Sequence, residues 1–293
     1  MHMMFRKRRF EIPVHGRFPR EKVIVHDSEE RMMMTPKLKK LIEELWEEKQ
    51  KRMVKREGLL FSGDLCRLVR YEICEDGLHL YLGRTQFKEL LGTNLSHSII
   101  HKVLGEEYMS NGLGVRAAIR TADEKLIIGQ RSEKVVEAAG FYHLCGGYME
   151  PSKHVRESLP DPYVAMESFM KEELGIPKSA VRHLVCLGLV ISTETLKPEL
   201  MFEAETDLTF RRVLLSMAKA TRDMAHSELF GIIAVRASLR GFLAANRRKI
   251  APTGQGCLWV YGIERGYWPA ERKGIFKKYA ERKRKKKADE SSV

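Results

Sequence analysis

Several common structural devices are scarce in this chain. Cysteine is rare: Cys66, Cys74, Cys145, Cys186 and Cys257 are odd in number and widely scattered among 293 residues, with no Cys-x-x-Cys pair. That supplies neither a disulfide framework nor a zinc ribbon, and it points to a reducing compartment, cytoplasmic or, in a eukaryote, nuclear. Long apolar runs are missing too. Uncharged stretches such as Leu90 to His101 fall well short of the roughly 18 apolar residues that a membrane helix needs, so no membrane span is expected. The basic start, MHMMFRKRRF, has no apolar segment behind it and does not read as a secretory signal. Low complexity is confined to one lysine-arginine run near the C-terminus. At 43% hydrophobic and 31% charged, the composition supports a sizeable core and excludes a disordered chain.

The net charge of +13 is localised. Residues 271–287 carry ten Lys/Arg against two Glu, and residues 1–22 carry seven against two, which accounts for the whole excess. The basic character belongs to the two ends and not to a positively lined groove. Such ends attract polyanions through counterion release without selecting sequence, so a weak nucleic-acid or acidic contact through the termini is one expectation, and a solubilising or targeting tail the other.

Local signals divide the chain into four parts: a basic arm (1–34), a small α+β unit (35–110), a larger α/β unit (111–265) and a basic tail (266–293). In the small unit, Thr35 and Pro36 open a helix, and Leu38, Leu41, Ile42, Leu45 and Trp46 form one apolar stripe. A hairpin follows, with alternation over Leu65–Ile73 and Leu78–Leu82 about an Asp76-Gly77 turn, and then a loop at 91–96. In the larger unit, strands are expected around Val115–Thr121, Lys125–Arg131, His183–Ser192, Glu199–Glu205 and Phe230–Arg236. Helices are expected at about 208–219, 236–247 and 253–261. Asp161 as N-cap, Pro162 at the first helical position and Gly175 beyond the end frame one more helix.

That helix ends in Glu172-Glu173. Adjacent carboxylates in a last helical turn oppose the negative end of the helix dipole, so something positive should compensate. A hard divalent cation with oxygen ligands is one candidate, and Lys171 beside two solvated glutamates is the alternative. The glycine pair Gly146-Gly147 allows close backbone approach. Arg131 suits either a phosphate or a surface ion pair. Glu199 and Glu228 lie near strand ends and are candidates for a further ligand or base. His143, His154 and His226 show no metal-ligand spacing, and Cys145 reads as a small packed residue.

The order strand, glycine pair, loop, then helix ending E-E-x-G resembles the Nudix hydrolases, with signature G-x5-E-x7-R-E-U-x-E-E-x-G-U. Gly147, Met170, Glu172, Glu173, Gly175 and Ile176 match it, and Glu150 matches a further glutamate common in the family. Arg131-Ser132 matches an Arg-Ser found at the end of the second strand in many members. Lys153, Ser168 and Phe169 depart from it, standing where the first glutamate, the arginine and the first helix glutamate belong. The loop before the helix is seven residues longer than the signature allows. From about 36 to 262 the chain further resembles the UDP-glucose/UDP-galactose hydrolase branch, which has an N-terminal extension. The blocks that carry this are the Leu45-Trp46-Glu47 helix, LLFSGDLCRL, LYLGRTQFKELLGTN, LGVRAAIRTADEKL, EAAGFYHLCGGYMEP and APTGQGCLWVYG.

The resemblance implies an α/β/α sandwich preceded by a small α+β domain. It implies a Mg²⁺-dependent pyrophosphohydrolase, with Mn²⁺ as the alternative metal, that splits a nucleoside diphosphate sugar into UMP and sugar 1-phosphate. Glu172 and Glu173 would be catalytic and metal-binding, Glu150 a weaker metal or water contact, and Arg131, Gly146 and Gly147 substrate-binding. The competing expectation is a catalytically degraded Nudix domain that binds a nucleotide or RNA, its affinity supplied by the basic ends.

Overall fold

The computed structural model describes residues 8–55, 60–96, 104–217, 220 and 226–269. Residues 270–293 and the first seven residues lie outside them, whereas Tyr267 and Trp268, at the start of the expected basic tail, pack against the larger unit's core. In chain order the elements are β1 (Phe10–Phe18), β2 (Val23–Asp27), α1 (Pro36–Val54), β3 (Asp64–Cys74), β4 (Gly77–Gln86), α2 (Phe87–Leu90) and β5 (Gly114–Arg120). Next come β6 (Lys125–Arg131), β7 (Tyr142–His143), β8 (Cys145–Tyr148), β9 (Val155–Arg156), β10 (Leu159–Pro160) and α3 (Pro162–Leu174). The chain closes with β11 (Val181–Ser192), β12 (Pro198–Thr206), α4 (Phe210–Met217), β13 (His226–Ile233), α5 (Arg236–Asn246) and α6 (Pro252–Glu264).

The main sheet runs β1-β11-β12-β5-β6-β13, with β7 and β8 paired to β6 and β5. Only β12 and β5 are parallel; the other pairs are antiparallel. Both faces are covered, so β5 and β12 are buried almost throughout and read as near-continuous buried runs. Strand alternation still sorts their side chains. Leu200, Phe202 and Ala204 face a core shared with Met166, Phe169 and Met170 of α3, while Met201 faces Cys257, Leu258 and Val260 of α6. This is the expected α/β/α layering. Each fully buried large apolar side chain in these layers is worth about 1.5–3 kcal/mol.

The second sheet is small, β2-β4-β3, with β2 parallel to β4. Residues 10–27 therefore do not form a free arm: β1 edges the main sheet and β2 edges the small one. Two local expectations also shift. The hairpin pairs Cys74 with Gly77, so its turn is Glu75-Asp76. The expected loop at 91–96 is instead a wide helical turn continuing α2, because Gly92 lies directly on Ile42 of α1, where an added Cβ would meet Ile42 at 2.7 Å. Among the described residues no helix is long and apolar enough to cross a membrane.

Candidate active site

The helix α3 is fixed at both ends by local chemistry. Asp161 accepts hydrogen bonds from the Tyr163 and Val164 amides (2.7 and 3.1 Å), and Pro162 needs no amide partner. Gly175 ends the helix at φ 66°, packed so closely that an added Cβ would lie 2.4 Å from the Ser216 carbonyl. From β1's side, Arg20 bridges Asp161 (2.9 Å) and Glu167 (2.7 Å). The lengthened loop before α3 contains the β9–β10 hairpin, whose two turn residues, Glu157 and Ser158, both have positive φ.

The two adjacent glutamates part company. Glu173 turns inward, 4% exposed, and one carboxylate oxygen accepts the Gly146 amide at 3.0 Å. That donor, with the Arg116 cation nearby, compensates for its place at the negative end of the helix. Glu172 turns outward. It accepts from the Ser168 hydroxyl (2.7 Å) and pairs with the Lys153 ammonium (2.8 Å), which also stands 4.0 Å from Glu150. Glu172 and Glu150 thus face one cation from two sides, and the cation is Lys153.

Gly146 adopts φ 141°, and a Cβ there would lie 2.0 Å from the Val115 carbonyl. Gly147 lies against the ring of Phe169, with an added Cβ only 2.6 Å away. Phe169 itself is wholly buried, between Gly147 and the His154 ring at 5.1 Å. It packs where a third helix carboxylate would be needed, so Phe169→Glu would place a charge in the core.

Arg131 is partly buried, and its Nε donates to the Glu137 carbonyl at 2.8 Å. Burial and then the Arg116 charge lower its pKa. Glu199 is fully buried and pairs with Arg116 (3.1 Å) and Lys197 (2.7 Å). Glu228 is exposed on β13, where it stands opposite Gln130 of β6, and among the described residues no hydrogen bond or ion pair joins it to Arg116, Lys197 or Glu199. His143 and His154 are buried, and nothing is described for the side chain of His226. Cys145 is buried in the core under α3.

Sequence patterns do not single out four further residues. Arg116, 2% exposed, donates to the carbonyls of Leu144 (3.1 Å) and Gly146 (2.7 Å) as well as to Glu199. Lys197 pairs with both Glu199 and Glu137, and the Tyr148 hydroxyl donates to Glu137 at 2.6 Å. Burial pushes the Glu137 carboxyl up, but Lys197 and Arg131 outweigh it and bring it down to about 2. Burial likewise opposes ionisation of Glu199, and Arg116 and Lys197 again win. Burial and the Glu137 charge hold Tyr148 well above its ordinary value, so it stays a donor. The available signal is charge inside an apolar strand, as in GVRAAIR and KPELMF. Beside the cluster a cleft of about 250 Å³ opens between the two units, with Lys49 and Leu91 on one wall and Glu137, Phe141 and Lys197 on the other.

A hard divalent cation takes oxygen ligands. Glu172 and Glu150 approach Lys153 from two sides, whereas Glu173, bonded to the Gly146 amide, does not join them in a group of three ligand atoms within 4.8 Å, so two carboxylates would be left to an ion once the half-exposed Lys153 withdrew.

No family model matches the chain. Among curated proteins it is similar to uridine diphosphate glucose pyrophosphatase NUDT22 of Bos taurus, 26% identical over 255 residues that span 78% of this chain and 86% of the bovine protein. The Mus musculus protein of the same name is 30% identical over 162 residues, 47% of this chain and 52% of its own. Nudix hydrolase 9 of Arabidopsis thaliana is 28% identical over 221 residues, 64% of this chain and 65% of its own. Of solved structures, DR0079 from Deinococcus radiodurans overlaps 51% of this chain and 81% of its own, at 17% identity and TM-score 0.37. A C. elegans Ap4A hydrolase overlaps 53% and 99%, at 11% identity and TM-score 0.33. In sequence, then, the chain is similar to proteins named as a uridine diphosphate glucose pyrophosphatase and as a Nudix hydrolase.

Proposed function

We propose that this chain is a pyrophosphohydrolase acting on a nucleoside diphosphate-linked substrate, UDP-glucose or UDP-galactose in first place, with UMP and sugar 1-phosphate as products. The observation that carries this reading is the reach of the similarity, which includes the N-terminal unit and 86% of a UDP-glucose pyrophosphatase rather than the Nudix helix alone. In the reaction water adds to one phosphorus, the bridging P–O bond breaks, and two phosphomonoesters leave. A bound Mg²⁺, or Mn²⁺, would neutralise charge on the phosphoryl oxygens and lower the pKa of water. Glu172 and Glu150 would hold it. Lys153, 40% exposed, has the freedom to turn from these carboxylates toward the anionic substrate. Glu173 is held rigidly by the Gly146 amide, which suits a group that must keep its place during the reaction. The cleft lined by Lys49, Leu91 and Phe141 offers partial exclusion of water for the nucleotide, with Lys49 rather than Lys197 left to meet a phosphate, because Lys197 is already paired with Glu137 and Glu199.

A second reading has its own support. Phe169 removes one carboxylate and Lys153 neutralises another, which favours a module that binds a nucleotide without splitting it. Incubation of the full chain with UDP-glucose and Mg²⁺, followed by product analysis, separates the two. UMP with glucose 1-phosphate supports the hydrolase. Binding without turnover across a panel of nucleoside diphosphate derivatives, in folded protein, supports the module.

A further inference from the structure

The turn between β3 and β4 gathers three different ligand types on the solvent face of the small sheet. Alternation along β4 sends Leu78, Leu80 and Leu82 into the core and leaves His79 and Tyr81 on the other face. The β3–β4 register places Cys74 diagonally across from His79, and the two-residue turn puts Asp76 beside both. One ligand atom from each of Cys74, Asp76 and His79 lies within 4.8 Å of the other two. His79 Nε2 is 2.8 Å from Asp76 Oδ1.

A second layer orients the histidine. Its other ring nitrogen, Nδ1, is 2.9 Å from Nε2 of His26 on β2. His26 is held by stacking on Tyr81, ring centroids 4.4 Å apart and 12° from parallel. Metal-bound histidines typically use the second nitrogen in this way, to fix tautomer and ring orientation. Because His26 can either donate or accept here, His79 can carry its proton on Nδ1 and present the Nε2 lone pair outward.

We propose that Cys74, Asp76 and His79 form a binding site for a thiophilic divalent cation, Zn²⁺ in first place, with solvent completing the coordination. A thiolate and an imidazole together select zinc-like ions over Mg²⁺, so this site is chemically distinct from the carboxylates at Lys153. Coordination replaces the Asp76–His79 hydrogen bond and releases the thiol proton to solvent.

Cobalt is the probe. The full-length protein, reduced with a phosphine and freed of metal by chelation, is titrated with Co²⁺ while the thiolate-to-cobalt charge-transfer absorption is followed. The other four cysteines are buried, so this band reports Cys74. We expect about one Co²⁺ per chain, displacement by Zn²⁺, and no competition from Mg²⁺. Cys74→Ser should abolish the band, and His79→Ala should weaken Co²⁺ binding at least about tenfold. Because Cys74 is exposed, Cys74→Ser should melt like the parent. Absence of the band in folded protein, or its survival in Cys74→Ser, overturns the proposal. So does equal competition by Mg²⁺. None of these outcomes depends on hydrolase activity.

Discussion

Two clusters of charge lie within one loop and one helix of each other, and they are built on opposite terms. Inside, Arg116 of β5 and Lys197, just before β12, are each 2% exposed and share Glu199 of β12, and Glu137 reaches Lys197 from the loop between β6 and β7. At the rim, Lys153 is 40% exposed and bridges Glu172 and Glu150 on a flexible stem. A buried ion pair contributes little net stability when intact but is costly to break, because removal of one partner strands the other. An exposed pair is worth about 0–1 kcal/mol and its members are exchangeable. The inner cluster is therefore architecture that sets where Gly146 and Glu173 stand, and the rim is where we propose that a metal ion takes the place of Lys153.

The comparison breaks first at Arg116. Arg116→Leu should cost about 3–5 kcal/mol in urea unfolding, with part of the loss recovered when Glu199→Leu is added. A loss below about 1 kcal/mol would mean the inner charges are as replaceable as the outer ones. Acid probes the same cluster without mutation. Glu137 titrates at about 2 when folded, against an ordinary 4.5, so its contribution is present above about pH 4.5 and lost as pH falls toward 2. The ceiling for that loss is about 3 kcal/mol, read from the unfolding midpoint against pH; Glu137→Gln should flatten the acid limb.

Glu173→Gln joins the two clusters. Glutamine can still accept the Gly146 amide, so the fold should hold while metal-dependent turnover falls at least about tenfold, on the order of 1.4 kcal/mol in the barrier. An unchanged rate would make Glu173 a purely structural carboxylate. The smallest effect belongs to Lys153→Ala. Stability should move by less than about 1 kcal/mol, and apparent Mg²⁺ affinity should rise about threefold once the competing ammonium is gone. Weaker metal binding would show that Lys153 assists the site rather than competes for it.

What the sequence reveals follows from the range of the interaction. Asp161, Pro162 and Gly175 act on their own helix, so α3 is legible from end to end. The stripe of α1 and the Thr35 cap are equally local. Arg116 and Glu199 meet only through the parallel pairing of β5 with β12, and no spacing announces that. The inward turn of Glu173 and the outward turn of Glu172 are equally invisible until the Gly146 amide is in place. Phe169 is a different case. A helical wheel puts it on the face of the two glutamates, yet packing against Gly147 makes it core. In β1 the pattern is written plainly: Phe10, Ile12 and Val14 alternate and are buried. Basic neighbours and Pro13 mask it, although proline is acceptable in an edge strand, which β1 is.

The placement of β1 also has a consequence for synthesis on the ribosome. β1 is made well before the strand that receives it, which begins at Val181, and β2 must wait for β4. Pairings this distant in sequence are slow to close, because the intervening chain loses its freedom before the contact repays it. Until then a strand with one apolar face is left without its sheet, the kind of exposed surface that favours aggregation, and it is covered only when β11 has been made.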